Sequence, residues 1–245
     1  MLLTIDIGNT RIKCAVFEQN TLLEKIIFNE KEALFFFKKI FKKFNKITFS
    51  ISSSVGKLEK ECFDYIEKHS KLIIVSHQLQ FPFENLYETP ATLGIDRMVL
   101  AAGASFAFPN KNCLIIDAGT CITYDFIDAN KKYHGGAISP GVNLRYKALH
   151  NYTAKLPLLK KEEIDYFIGN TTNKAIHSGV INGLTYEIEG FISQYFHKYQ
   201  HLTIILTGGD ADFLAKRLKS TIFANSNFLL ESLNFLFNYV QTQND

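Results

Sequence analysis

The spacing of apolar residues changes period along the chain, and the period assigns the elements. Runs at 2–6, 12–17 and 22–28 are short and apolar, with turn residues between them, and predict an antiparallel meander of three strands. Over 31–45, KEALFFFKKIFKKFN, the spacing lengthens to three and four. Leu34, Phe37, Phe41 and Phe44 fall on one face while Lys38, Lys39, Lys42 and Lys43 lie largely off it, the pattern of an amphipathic helix. A basic amphipathic helix can rest on a membrane surface; the reading adopted is a core-facing helix with a solvated lysine face. A strand at 47–52, a helix around 57–69 and a strand at 71–75 follow. Residues 81–93 read as a loop containing Pro82 and Pro90. A helix of small residues, 95–107, then ends at the Pro109-Asn110 turn, the candidate lobe boundary.

Beyond that turn the opening pattern returns. CLIIDAGTCITYDFIDAN (113–130) repeats the plan of LLTIDIGNTRIKCAVFEQN (2–20): an apolar strand, Asp, one residue, Gly, a threonine and a second strand. The first copy carries one extra residue, Asn9. A repeat at half the chain length implies two lobes of related fold. After it come a glycine-rich loop, GGAISPG (135–141), and a long helix around 172–199. Ile176, Val180, Leu184, Ile188, Ile192 and Phe196 mark its buried face. A strand at 202–206 runs into TGGD (207–210) and a helix at 211–219, where Asp210 stands at the N-cap position. The last segment, FLLESLNFLFNYV, reads as an amphipathic helix closing the second lobe.

Composition narrows the class. The 245 residues are 47% hydrophobic and 21% charged, enough to bury a core in two lobes. A net charge of +3 is too small to argue for nucleic acid or a membrane surface as partner. No apolar run approaches the roughly 18 residues that span a bilayer, and the start carries Asp6 inside a strand pattern, unlike a signal peptide. Cys14, Cys62, Cys113 and Cys121 form no CxxC pair, and are read as reduced thiols of a cytoplasmic protein.

The repeated turn carries the chemistry. A glycine lets the backbone approach a ligand closely, and the backbone N–H groups and threonine hydroxyl that follow can donate to phosphate oxygens. That reading assigns Gly8, Asn9 and Thr10 in the first turn, and Gly119 in the second. A carboxylate such as Asp6 would repel those phosphates unless a Mg²⁺ ion, held through its water shell, stood between them. Lys13 can reach the same phosphates from the second strand. One such turn is also a commonplace hairpin; two in one chain are not. Gly208 and Gly209, where a strand hands over to a helix, then fit a flat shelf for adenine and ribose. Other signals carry nothing: HKYQH (197–201) lacks the glutamate of a zinc-protease motif, SVGK (54–57) lacks the first glycine of a P-loop, and no GxGxxG occurs.

With two phosphate turns and an adenosine loop, the chain resembles the actin, Hsp70 and sugar-kinase superfamily. Within it the chain is most similar to the type III pantothenate kinases. DIGNTRIK (6–13), YETPATLGIDR (87–97), IDAGTCITYD (116–125), GGAISPG (135–141), IGNTTNKAIHSG (168–179) and TGGD (207–210) stand in the family's order. They span nearly the whole chain. Two departures stand out: Gly169-Asn170-Thr171-Thr172 replaces the usual Gly-Lys-Asn-Thr, and Cys121 replaces a small alanine.

The resemblance implies an α/β fold of two ribonuclease-H-like lobes, an actin-like ATPase duplication about a central ATP cleft, divided at 1–111 and 112–245. It implies ATP-dependent phosphorylation of pantothenate, the first step toward coenzyme A. Asp96 would take the proton of the pantothenate hydroxyl, chemistry that suits phosphoryl transfer. Arg97 would neutralise a substrate carboxylate or the moving phosphoryl group. Tyr87, Gly94, Ile95 and Thr172 would contact pantothenate, Thr120 would contact ATP, and Asp117 would hold K⁺ or NH₄⁺. The resemblance also implies a homodimer with sites at the subunit interface. Gly179 and Gly183, one turn apart, offer a surface where another backbone can pack closely. The rival readings are a sugar kinase on the same scaffold, or a nucleotide-binding regulator without acceptor chemistry, which would have no need of Asp96.

Overall fold

The computed structural model describes residues 1–54 and 56–244; Val55, inside the SVGK stretch, and Asp245 lie outside them. The chain forms two compact units. Met1–Asn110, Asn130–His134 and the segment from Asn227 onward make the first; Lys111–Ala129 and Gly135–Ser226 make the second.

The first unit opens with the expected meander: β1 (Leu2–Ile7), β2 (Ile12–Glu18) and β3 (Thr21–Phe28), paired antiparallel. α1 (Ala33–Lys43) follows, then β4 (Phe49–Ser54), α2 (Lys60–His69) and β5 (Lys71–Ile74). β4 lies parallel to β1, and β5 parallel to β4, so the sheet runs β3-β2-β1-β4-β5. Because side chains alternate along a strand, Leu3, Ile5 and Ile7 all face the core shared with Phe37, Ile40 and Phe41 of α1 and Cys62 and Ile66 of α2. The lysines of α1 are exposed, as its period requires. Asp6 alternates to the opposite face. A two-residue strand, β6 (Glu84–Asn85), pairs with Lys132 and Tyr133, and α3 (Ile95–Ala107) packs beside β4.

The second unit repeats the plan. β7 (Asn112–Ala118) pairs antiparallel with β8 (Cys121–Ile127), followed by β9 (Lys132–Pro140, of which Gly135 onward belongs to this unit), α4 (Val142–Asn151), α5 (Thr172–His177), α6 (Gly183–Lys198), β10 (Leu202–Thr207), α7 (Ala211–Ala215) and β11 (Phe223–Ala224). The order β9-β8-β7-β10-β11, with β10 parallel to β7 and β11 parallel to β10, is the order of the first sheet strand for strand. This is a duplicated ribonuclease-H-like topology. Leu114, Ile116 and Ala118 face the core formed with α4, α5, α6 and α7, and Asp117 alternates away from it as Asp6 does.

Four elements differ from the sequence reading; the first is the helix expected at 211–219, which stops at Ala215 as α7. GGAISPG is not a loop: Gly135–Pro140 completes β9, and a Cβ on Gly136 would lie 1.5 Å from the Tyr124 carbonyl oxygen, so the glycine is there for close backbone approach inside a sheet. The long helix is interrupted by five π-helical residues, Ser178–Asn182, flanked by α5 and α6. The final helix, α8 (Phe228–Asn244), packs in the first unit, against α3, β1 and β4, with Phe237 on Phe49. A Cβ on Gly103 of α3 would lie 1.8 Å from Ser232 Oγ of α8, so this helix pair depends on a glycine. Amphipathicity says that a helix has a buried face but not which sheet it covers.

Candidate active site

In the first turn Gly8 N donates to Arg11 O at 3.2 Å and closes a four-residue connection; in the second Gly119 N donates to Cys121 O at 3.0 Å and closes one residue fewer, as the missing counterpart of Asn9 implies. Each turn is backed by its parallel neighbour. Gly56 N donates to Ile7 O at 2.9 Å behind the first, and Asp210 N donates to Ala118 O at 2.9 Å behind the second. Asn9 and Thr10 are exposed around a small depression that Lys57 also lines.

Strand period places Asp6 on the sheet face that α3 and α8 cover, and α3 carries Asp96 in its first turn. Asp6 is 5% exposed, and Lys13 Nζ stands 3.5 Å from its carboxylate. Burial pushes the Asp6 carboxyl above its ordinary pKa; Lys13 pulls it down, and the charge of Asp96 pushes it up again. The two acids therefore sense each other inside one unit. Asp96 Oδ1 accepts from Arg97 N at 2.9 Å, and a Cβ on Gly94 would lie 2.5 Å from that oxygen, so Gly94 leaves the carboxylate its room. Arg97 is buried with its guanidinium 5.8 Å from the Tyr87 ring centroid, and Tyr87 in turn neighbours Tyr133. Ile95 is buried beside them in sequence. The structure thus brings Asp6, Lys13, Asp96, Arg97 and Tyr87 into one unit, with Gly94 shaping the acid's position.

In the second unit, Gly208 has φ +97°, and a Cβ there would lie 2.4 Å from Asp117 Oδ1 and 2.5 Å from Ala118 O. Gly209 is exposed, with nothing within 4 Å of an added Cβ. Asp210 stands at the N-cap of α7 without a capping bond; its carboxylate pairs with Lys161 instead. Thr120 is exposed at the turn. The Thr171 hydroxyl caps α5, accepting from Lys174 N at 3.3 Å, whereas Thr172 is exposed as the first residue of that helix.

Both cation expectations suit the donors present. The Asp6 carboxylate is an oxygen donor of the kind Mg²⁺ takes, though Lys13 now pairs with it; no cage of three or more His, Cys, Asp or Glu side chains exists among the described residues, so phosphate and water would have to complete such an ion's shell. At Asp117 the cradle that a Cβ would fill lies between a carboxylate and a backbone carbonyl, oxygen donors suited to a monovalent cation.

Beside the π-helical residues, Phe167, Ala175, Ser178, Gly179, Gly183 and Tyr186 line an open groove. Phe167 is 69% exposed and Tyr186 60%. An added Cβ at Gly179 or Gly183 would meet nothing within 4 Å, so neither glycine is needed for packing within the chain.

Sequence reasoning missed several residues around these groups. Lys161 reaches Asp210 from an irregular segment whose period marks nothing. Glu187 of α6 accepts from Ser139 (2.5 Å), Tyr124 (2.9 Å) and Arg145 (2.5 Å). Burial works against its charge, but these donors hold its carboxyl below the ordinary range and tie β9 to α6. Ser53, at the end of β4, lies in register with Asp6. A serine run ending an apolar strand was the available signal.

Comparison with known proteins gives a consistent picture. The family model for type III pantothenate kinase matches residues 2–194. A type III pantothenate kinase of Flavobacterium psychrophilum is 60% identical over 98% of this chain and 99% of its own length, and one of Bacteroides fragilis is 40% identical over 98% of each. Among solved structures, a conserved Campylobacter jejuni protein of the Baf family of transcriptional activators aligns with TM-score 0.64 at 20% identity, covering 99% of this chain and 100% of that one. The 2-hydroxyisocaproyl-CoA dehydratase activator of Clostridium difficile aligns with TM-score 0.57 at 12% identity, covering 99% and 96%. At such identities the solved structures speak to the fold alone.

Proposed function

The chain belongs to the type III pantothenate kinase family and phosphorylates pantothenate with ATP to 4'-phosphopantothenate, the first step of coenzyme A biosynthesis, and we propose that its residues divide this reaction as follows. Within 1–111 lie the first phosphate turn and the acceptor groups around Asp96; within 112–245 lie the second phosphate turn, the adenosine shelf and Thr172. Gly8, Asn9 and Thr10, with Gly119 and Thr120, offer donors to the ATP phosphates, and Lys13 adds a cation. Gly208 and Gly209 form the shelf for the adenosine. Tyr87, Gly94, Ile95 and Arg97 hold pantothenate, with Arg97 meeting a negative charge of substrate or phosphoryl group.

Asp96 accepts the proton of the pantothenate hydroxyl as the oxygen attacks the terminal phosphorus and the bond from that phosphorus to the bridging oxygen breaks, releasing ADP. Phosphoryl transfer asks mainly for alignment and for charge to be neutralised where it develops. Asp6 would hold Mg²⁺ and Asp117 K⁺ or NH₄⁺, and bound there the ions would offset phosphate charge. Lys13 pairs with Asp6 in the structure and would reach the phosphates once ATP is bound.

The observation supporting this reading is that Asp6 lies on the sheet face covered by α3 and α8 and that α3 carries Asp96 in its first turn, where its charge acts to raise the Asp6 carboxyl's pKa. A regulator without acceptor chemistry has no use for that second acid. The experiment is a coupled ADP-release assay with pantothenate and a panel of sugars. Turnover with pantothenate alone is expected; sugar phosphorylation in its absence would overturn the assignment.

We further propose a homodimer. The unfilled space above Gly179 and Gly183, flanked by exposed Phe167 and Tyr186, suits the backbone of a second copy. Thr172, beside that face and not used for capping, is the pantothenate contact that a partner would receive, so each site draws on both subunits. Four free cysteines, three of them buried, support a reducing compartment, the cytoplasm. No helix among the described residues is long and apolar enough to cross a membrane.

A further inference from the structure

Ser53 is 1% exposed at the C-terminal end of β4, and its Oγ makes no hydrogen bond of normal geometry. A buried hydroxyl left without a partner is destabilising, and each such group in a folded protein calls for an explanation. The neighbouring serines are engaged: Ser52 Oγ donates to Ser53 O at 3.5 Å and Ser54 Oγ to Gly56 O at 3.1 Å. Ser53 stands opposite Asp6 in the parallel register of β1 and β4, and the strand end is held there by Gly56, whose N–H donates to Ile7 O.

We propose that Ser53 is a positioning residue for Asp6, its hydroxyl completing a hydrogen bond to the carboxylate when Lys13 leaves it for the nucleotide phosphates. The proposal rests on the assignment of Asp6 to the Mg²⁺–phosphate assembly. Lys13 Nζ stands 3.5 Å from the Asp6 carboxylate, and its departure would leave a carboxylate nine-tenths buried with one fewer donor. Ser53 is the donor held in reserve.

The test compares Ser53→Ala, Ser53→Thr, Asp6→Asn and the double variant Ser53→Ala/Asp6→Asn. Each is measured by thermal melting, by calorimetric binding of a Mg²⁺–non-hydrolysable ATP analogue, and by turnover. A hydroxyl with only a structural role and no partner is neutral or harmful, so its loss should leave melting unchanged or raised and binding unchanged. Under the proposal Ser53→Ala melts at or above wild type, yet binds the Mg²⁺–nucleotide roughly tenfold more weakly, the scale of one hydrogen bond to a charged group. Ser53→Thr restores binding. The double variant is no worse than Asp6→Asn, because both lesions act through one carboxylate. Wild-type binding by Ser53→Ala beside a defective Asp6→Asn overturns the role of Ser53 alone, as does a double variant whose defects multiply. Wild-type binding and turnover by Asp6→Asn instead overturn the assignment of Asp6 on which the proposal rests.

Discussion

Substituting Gly208 and Gly209 one at a time separates what the fold needs from what the nucleotide needs. Gly208 has φ +97°, a region L side chains rarely adopt, and holding another residue in such a sparsely populated region costs about 1–3 kcal/mol. A Cβ there would also stand 2.5 Å from Ala118 O and 2.4 Å from Asp117 Oδ1, so the turn after β7 must shift. Together these put Gly208→Ala at about 3 kcal/mol of lost stability, with overpacking alone worth roughly 1–3. At roughly 2–4 °C per kcal/mol for a chain this long, melting should fall by about 6–12 °C. Gly209 is exposed and has nothing within 4 Å of an added Cβ, so Gly209→Ala should melt within about 2 °C of wild type. If the exposed shelf carries adenosine, the added methyl should still raise the KM for ATP, roughly tenfold, while leaving that for pantothenate unchanged. Circular dichroism melts and initial rates at varied ATP read both effects. Equal melting of Gly208→Ala and wild type would refute the backbone argument, and an unchanged KM for ATP in Gly209→Ala would refute the shelf.

The other predictions follow from the proposed roles. Asp96→Asn should fold and bind ATP yet lose roughly 10²–10⁴-fold in turnover, the worth of a positioned base; near wild-type rates would remove it from that role. Its effect on Asp6 has a definite sign: with the charge of Asp96 gone, one cause raising the Asp6 carboxyl disappears, so that carboxyl should titrate at lower pH in ¹³C NMR. Activity should require K⁺ or NH₄⁺, and Asp117→Asn should lose or alter the requirement; full activity in sodium-only buffer contradicts the assignment. Asp96→Asn and Thr172→Val homodimers should each be poor enzymes, yet mixed and refolded together they should recover to about a quarter of wild type, since half the dimers keep one intact site. Recovery no greater than the average of the two mutants would reject shared sites.

How much of this was legible beforehand differs between the fold and the site. Strand and helix periods placed β1 to β3, α1 and α3 within a residue or two, because one face of each must be apolar and the spacing records which. The DxG repeat announced the duplication, and the matching strand orders of the two sheets show it. The period failed at GGAISPG. Glycines there read as loop residues, yet Gly136 lies in β9 because the Tyr124 carbonyl leaves no room for a side chain. It failed also at 178–182, where a π-helical turn interrupts an otherwise regular pattern.

The sequence by itself determined the elements, the two turns, the residue types able to meet phosphate and substrate, and, through likeness of motifs, the family. These are properties of adjacent residues, written in local spacing. Tertiary structure decided which of them meet. That α8 returns to the first unit, that Asp6 and Asp96 share an electrostatic environment, that Lys161 rather than a helix N-terminus holds Asp210, and that Thr171 caps a helix beside an exposed Thr172 all depend on contacts between distant segments or on a hydroxyl's orientation. An amphipathic pattern states how much surface must leave water, and hydrophobic burial is non-directional, so the partner that covers each face is chosen only when the whole chain packs.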